Sequence, residues 1–249
     1  NIFSRYRFCT KKYNVLNRHY ISNLEKHFLP TSPKPFNINA NIIRKSIDEI
    51  KQSFDPNYSD LKASVEIELT ERVGVIHFES LESNVNLVSL NMLEELIKSL
   101  EKLNRSNDID MIIFRSKKSK SFCAGADINY INTLNKETAF KASSLLQNFI
   151  KFIIASKPTV ALIEGHCYGA GLELALACTY RVSFNRKDIK FGFPEARLGL
   201  IPGGLGSYLA LTRSPSKVFL MMISAGLNIN TQTAKQYGIL THILDDYSL

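Results

Sequence analysis

The 249-residue sequence has no run of apolar residues near the roughly 20 needed to cross a bilayer as a helix, its apolar stretches being broken by Lys, Glu or Gly within about ten residues. No transmembrane segment is expected. Its four cysteines, Cys9, Cys123, Cys167 and Cys178, form no CxxC pair and stand beside no histidine cluster. That spacing supports neither a zinc site nor a redox dithiol, so reduced, buried thiols and no metal are expected. A GxGxxG dinucleotide fingerprint is also absent. The formal net charge of +8 points first to nucleic acid, but residues 1–36 hold Arg5, Arg7, Lys11, Lys12, Arg18, Lys26 and Lys34 against Glu25 alone. The remaining chain is close to balanced, which argues against a basic nucleic-acid face on the folded part.

What is present divides the chain in three. Residues 1–36 are rich in Arg, Lys, Ser and aromatics and poor in acids, the composition of a mitochondrial targeting segment; a disordered basic tail is the alternative. Residues 37–62 carry Ile43, Ile47, Ile50 and Phe54 at helical spacing before "DPNYSD", and read as a helical linker. From residue 63 the period changes. "SVEIELTERVGVIHFES" alternates apolar and polar residues on either side of a turn near Glu71, as a strand pair does. Leu90, Leu93, Leu96, Leu100 and Leu103 share one helical face, "DMIIFRS" and "PTVALIE" read as buried strands, and "AFKASSLLQNFIKFIIAS" as a second amphipathic helix. The alternation predicts an α/β domain with much of its sheet covered by helices.

Two strand exits, "SFCAGADI" and "EGHCYGAGLE", place small residues where free backbone N–H groups face a ligand. In "GHCYGAGLELALAC", Glu173 interrupts a run of small apolar residues, and an unpaired buried carboxylate is costly enough that it must be paired, protonated or used. It falls one turn into a helix starting near Ala170. A second carboxylate, Glu195, follows Pro194 in "KFGFPEARLG". Two glutamates beside oxyanion donors make an acid/base site for chemistry next to a carbonyl.

In order and spacing, "SFCAGADI", "KPTVALIEGHCYGAGLELALAC", "FGFPEARLGLIPGGLGS" and "TAKQYGIL" resemble the crotonase (enoyl-CoA hydratase/isomerase) superfamily. Within it, "GLELALAC" and "PEARLGLIPG" are most similar to the hydratase segment of multifunctional fatty-acid oxidation α-subunits. The resemblance implies a crotonase-type spiral of ββα units over residues 63–249, assembly as a trimer or hexamer, a CoA thioester as substrate with no separate cofactor, and a place in the mitochondrial matrix beside other β-oxidation subunits. It assigns the oxyanion hole to the N–H groups of Ala124 and Ala170, acid/base roles to Glu173 and Glu195, and substrate contacts to Ala126, Asp127 and Gly171, although Asp127 reads first as a cap or brace of the following helix. The implied reaction is syn addition of water to a trans-2-enoyl-CoA. Alternatives are a Δ3,Δ2-enoyl-CoA isomerase, a thioester hydrolase, or a non-catalytic subunit of the same fold. Relatives continue past the equivalent of "GILTHILDD" into C-terminal helices that this chain, ending at Leu249, is expected to lack. Ala170 replaces a common Gly and Leu209 a common Arg, while Lys117, Lys118 and Lys120 are either phosphate ligands or a solvated charge run.

Overall fold

A computed structural model describes residues 38–53, 59–213 and 217–245. The basic extension, expected to direct import, lies outside the described residues. The first helix, α1 (Ala40–Gln52), is capped by Asn39, whose side chain accepts from the Asn41 N–H at 2.9 Å. Strands β1 (Ala63–Thr70) and β2 (Val73–Ser80) form an antiparallel pair closed on the two residues Glu71 and Arg72, with Glu71 at φ 54° in the turn. Helix α2 (Leu90–Arg105) puts all five leucines of the expected stripe into the core.

From there the chain repeats one device. Strands β3 (Met111–Ser116) and β4 (Ser121–Cys123) are followed by helices α3 (Ile128–Thr133) and α4 (Lys136–Ala155). Strands β5 (Thr159–Ile163) and β6 (His166–Tyr168) are followed by α5 (Ala170–Ala177). Strands β7 (Tyr180–Phe184) and β8 (Lys190–Gly192) lead into a 3₁₀ turn (Pro194–Leu198), α6 (Gly206–Arg213) and α7 (Lys217–Ala225). Short β9 (Ile229–Asn230), α8 (Thr231–Gln236) and β10 (His242–Leu244) finish the described chain.

Of these three successive pairs, the first strand enters a six-stranded sheet of order β1-β2-β3-β5-β7-β10, and the second enters a four-stranded sheet of order β4-β6-β8-β9. Because β3, β5 and β7 pair in parallel, as do β4, β6 and β8, each ββα unit is one turn of a spiral, the architecture the resemblance implied. Helix α5 lies inside it with all eight residues buried. A helix apolar on every side needs such a place. Its neighbours β4, β6, α4 and α6 enclose the one charge it carries.

The expectation of a helical linker over residues 37–62 is corrected by the structure. Helix α1 packs on α4 and α2, its Ile43, Ile47 and Ile50 are wholly buried in the common core, and it belongs to the same compact unit as the strands. Lys51 also reaches Glu94 of α2 at 2.6 Å. The apolar stripe was legible; that α2 and α4 leave a seat for it was not. Ile47→Ala should lower the free energy of unfolding by about 2–5 kcal/mol in urea titrations, the usual result of emptying a buried isoleucine site. A change under about 0.5 kcal/mol would restore the linker.

Candidate active site

The site forms where α5 begins. Gly169 precedes the helix at φ 51°, and a Cβ there would lie 2.7 Å from Glu195 Oε1, so both conformation and close approach require glycine. Ala170 is the first helical residue and has no positive φ, which removes the objection to alanine at this position. Being first, its N–H has no partner within the helix and faces outward from the positive end of α5.

The loop after β4 meets this helix end. Gly125, at φ 106°, abuts it closely enough that a Cβ would sit 3.6 Å from the Ala170 nitrogen. The N–H of Ala124, expected as an oxyanion donor, is engaged elsewhere: it donates to the Asn86 carbonyl at 2.8 Å. The Gly125 N–H is turned to the Cys123 thiol. Ala126 is left as the residue of this loop whose N–H has no partner among the described residues. The donor position is therefore corrected from Ala124 to Ala126, because a hydrogen already bonded to a buried carbonyl is not available to a ligand.

Asn86 holds the loop there, and nothing in the sequence singled it out. It is fully buried between β2 and α2. Its Oδ1 accepts from the Ser80 N–H at 2.9 Å, and its Nδ2 donates to Ser116 Oγ at 2.8 Å and to the Phe122 carbonyl at 3.1 Å. One buried amide thus ties β2, β3 and β4 to the loop, a fully bonded network of the kind that rigidifies its surroundings.

Glu173, one turn into α5, is only 1% exposed. Its Oε1 accepts from the backbone N–H groups of Gly204 at 2.8 Å and Gly206 at 2.7 Å, while Oε2 accepts from none of the described residues. Burial pushes its pKa up to about 7; the Gly206 N–H opposes this, the nearby charge of Glu195 adds to it, and the Gly204 N–H opposes it. Glu195 sits in the 3₁₀ turn behind Pro194, and burial raises its pKa as well. Its Oε2 is enclosed with no hydrogen-bond partner in the described protein. Two carboxyls with raised pKa values and one open oxygen apiece can hold a water and pass protons near neutral pH.

The other expected residues are less central. Asp127 caps α3, accepting from the Asn129 N–H at 2.9 Å. Gly171 is packed tightly against the end of β4: a Cβ there would lie 2.5 Å from that of Cys123. Lys117 is committed to Glu66 and Glu79, the latter at 3.3 Å. Leu209 is buried in α6, where an apolar side chain fits. Cys123, Cys167 and Cys178 are free, buried thiols, and among the described residues no His, Cys, Asp and Glu cluster could hold a metal. No described helix is long and apolar enough to cross a membrane.

A family profile described as "Enoyl-CoA hydratase/isomerase" matches residues 68–249. The chain is 32% identical over 176 residues to the fatty acid oxidation complex subunit alpha of Idiomarina loihiensis, covering 69% of this chain and 25% of that protein. It is 34% identical over 168 residues to the mitochondrial methylglutaconyl-CoA hydratase of Rattus norvegicus, covering 64% of this chain and 50% of the relative. It is 32% identical over 171 residues to the mitochondrial 3-hydroxyisobutyryl-CoA hydrolase of the same organism, covering 66% and 43%. The match thus spans between a quarter and half of the length of these relatives. Among solved structures, an enoyl-CoA hydratase from Bacillus anthracis superposes with a TM-score of 0.67 at 28% identity, over 73% of this chain and 70% of that one.

The raised pKa of Glu173 has a consequence for stability that needs no substrate. The folded state holds this proton more tightly than the unfolded chain, so the group's contribution is fully present below its usual value of 4.5 and is lost as pH rises through about 7. Glu173→Gln keeps an acceptor for both N–H groups and removes the titration. It should become more stable than the parent as pH rises across that interval, by up to about 3 kcal/mol, read as a pH-dependent difference in unfolding free energy. A difference independent of pH would show that Glu173 titrates like an exposed carboxylate.

Proposed function

The chain belongs to the enoyl-CoA hydratase/isomerase family, and from that premise we propose that it is a hydratase, adding water in syn fashion to a trans-2-enoyl-CoA to give a 3-hydroxyacyl-CoA. The observation that carries the reading is the pair Glu173, buried, and Glu195, half-buried with an enclosed Oε2, both with raised pKa and each with a carboxylate oxygen unclaimed by the described protein. One carboxylate suffices to move a proton between carbons. Two carboxylates near enough for the charge of one to act on the other suit a reaction that must also hold and deprotonate a water.

In this mechanism the thioester oxygen is held by the N–H groups of Ala126 and Ala170, which oppose the negative charge it gains as the enolate forms. Glu173 takes a proton from the water while its oxygen attacks the β-carbon. Glu195 holds the same water and delivers a proton to the α-carbon, so that H and OH add across the double bond and each carboxylate is restored by exchange with solvent. The positive end of α5 favours the developing oxyanion. The CoA thioester is itself the substrate, and no further cofactor enters the scheme.

A hydrolase of the same thioester is the second reading, favoured by the likeness to 3-hydroxyisobutyryl-CoA hydrolase. We place the protein in the mitochondrial matrix on the composition of residues 1–36, and expect a trimer or hexamer from the family resemblance. The test is crotonyl-CoA. Hydration removes the ultraviolet absorbance of the conjugated enoyl thioester without releasing a thiol, whereas hydrolysis liberates CoA that reacts with a thiol reagent. The parent should consume the absorbance, and Glu195→Gln should reduce the rate by 10² or more, as expected for a positioned acid/base. An unchanged rate in that variant, or release of thiol instead of hydration, would overturn the assignment.

A further inference from the structure

Among the described residues, Glu71 and Leu205 are the non-glycine residues with positive φ. Glu71 occupies the two-residue turn between β1 and β2, where such a backbone is ordinary. Leu205 has no hairpin to explain its φ of 76°. It lies between Gly204 and Gly206, whose N–H groups reach the same oxygen, Glu173 Oε1, at 2.8 and 2.7 Å. Two N–H groups flanking a single residue converge on one atom when the backbone changes hand between them, the geometry of a backbone anion nest. Both flanking positions exclude side chains: a Cβ on Gly204 would lie 2.7 Å from Glu173 Oε2, and one on Gly206 2.7 Å from Oε1. Leu205 alone of the three carries a side chain; it packs on the core, and its carbonyl accepts from the Leu209 N–H at 2.8 Å in the first turn of α6.

We propose that Leu205 is a positioning residue for Glu173: its left-handed backbone aims the Gly204 and Gly206 N–H groups at Oε1, fixing the carboxylate so that Oε2 is the oxygen presented to the site. This rests on the proposed hydratase reading only for its catalytic meaning, because the clamp exists without substrate. Its effect on titration has a definite sign. The two N–H bonds favour the ionised form against burial, and Glu195 is the charged group on the surrounding elements whose charge acts on Glu173, in the opposite sense. Opening the clamp therefore moves the Glu173 titration to higher pH.

Substitution at position 205 separates aiming from packing. Valine is closest to leucine in apolar character, but its β-branching makes a left-handed backbone least tolerable; glycine and asparagine lose the packing but accept that backbone. In protein labelled with carboxyl-¹³C glutamate, the Glu173 resonance, assigned by its disappearance in Glu173→Gln, should titrate about one pH unit or more higher in Leu205→Val. It should titrate where the parent does in Leu205→Gly and Leu205→Asn. A packing role gives the reverse order, with valine mildest, and that order overturns the proposal; so does a raised titration in the glycine and asparagine variants should the valine variant fail to fold. Turnover of crotonyl-CoA, followed on the same samples, keeps the two ideas apart. Inactivity of the parent would remove the hydratase reading and leave the titration order standing, whereas an active parent with an unmoved Glu173 resonance in Leu205→Val would remove the clamp alone.

Discussion

A carboxylate in the interior of an apolar helix is the constraint around which the rest of this structure is arranged. Left alone, Glu173 would protonate or draw water into the core, since an unpaired buried charge costs several kcal/mol. The protein provides two backbone N–H groups on one oxygen, and a second carboxylate, Glu195, whose charge works against ionisation. The balance leaves a group poised near neutrality, with a pKa of about 7, instead of one locked in either form. Such a balance is sensitive to small displacements, and glycines provide backbone that approaches both carboxylates closely. Gly169 lies against Glu195, and Gly204 and Gly206 lie against Glu173.

The spiral of ββα units supplies the two ends that meet at the site. Consecutive turns place the exit of β4 beside the exit of β6, so a loop from one turn and a helix N-terminus from the next are brought together without any long connection. Asn86 holds the first of these by bonding three strands at once and, through its own carbonyl, the Ala124 N–H. On the hydratase reading this is preorganisation: the donors stand where the oxyanion will be and need not move as charge develops.

Much of the fold was legible because its signals are local. The leucine stripe of α2, the alternation of β1 and β2, and the apolar runs of β3 and β5 follow from periodicity, and the charge inside "GLELALA" marked Glu173 without structural help. The contributions of Asn86 and Leu205, and the bond that Gly204 makes to Glu173, were illegible because each acts through its backbone or through partners distant in sequence: Asn86 bonds Phe122, 36 positions away, and Gly204 reaches Glu173 across 31. The same reason accounts for the misplaced oxyanion donor. Choosing between Ala124 and Ala126 requires knowing which N–H is already bonded, and the bond to the Asn86 carbonyl appears only in three dimensions. The role of α1 was missed likewise, since an amphipathic stripe announces a burial face but not the surface that receives it.

The central claim is that the two glutamates direct a water onto an enoyl thioester, and the fate of solvent atoms tests it most directly. Crotonyl-CoA turned over in ¹⁸O- and deuterium-enriched water should yield a product carrying one solvent oxygen at the β-carbon and one solvent deuterium at the α-carbon, located by mass spectrometry of the acyl group after the thioester is cleaved in unlabelled water. Deuterium exchange without oxygen incorporation, or solvent oxygen found in a released carboxylic acid instead of at the β-carbon, would contradict it.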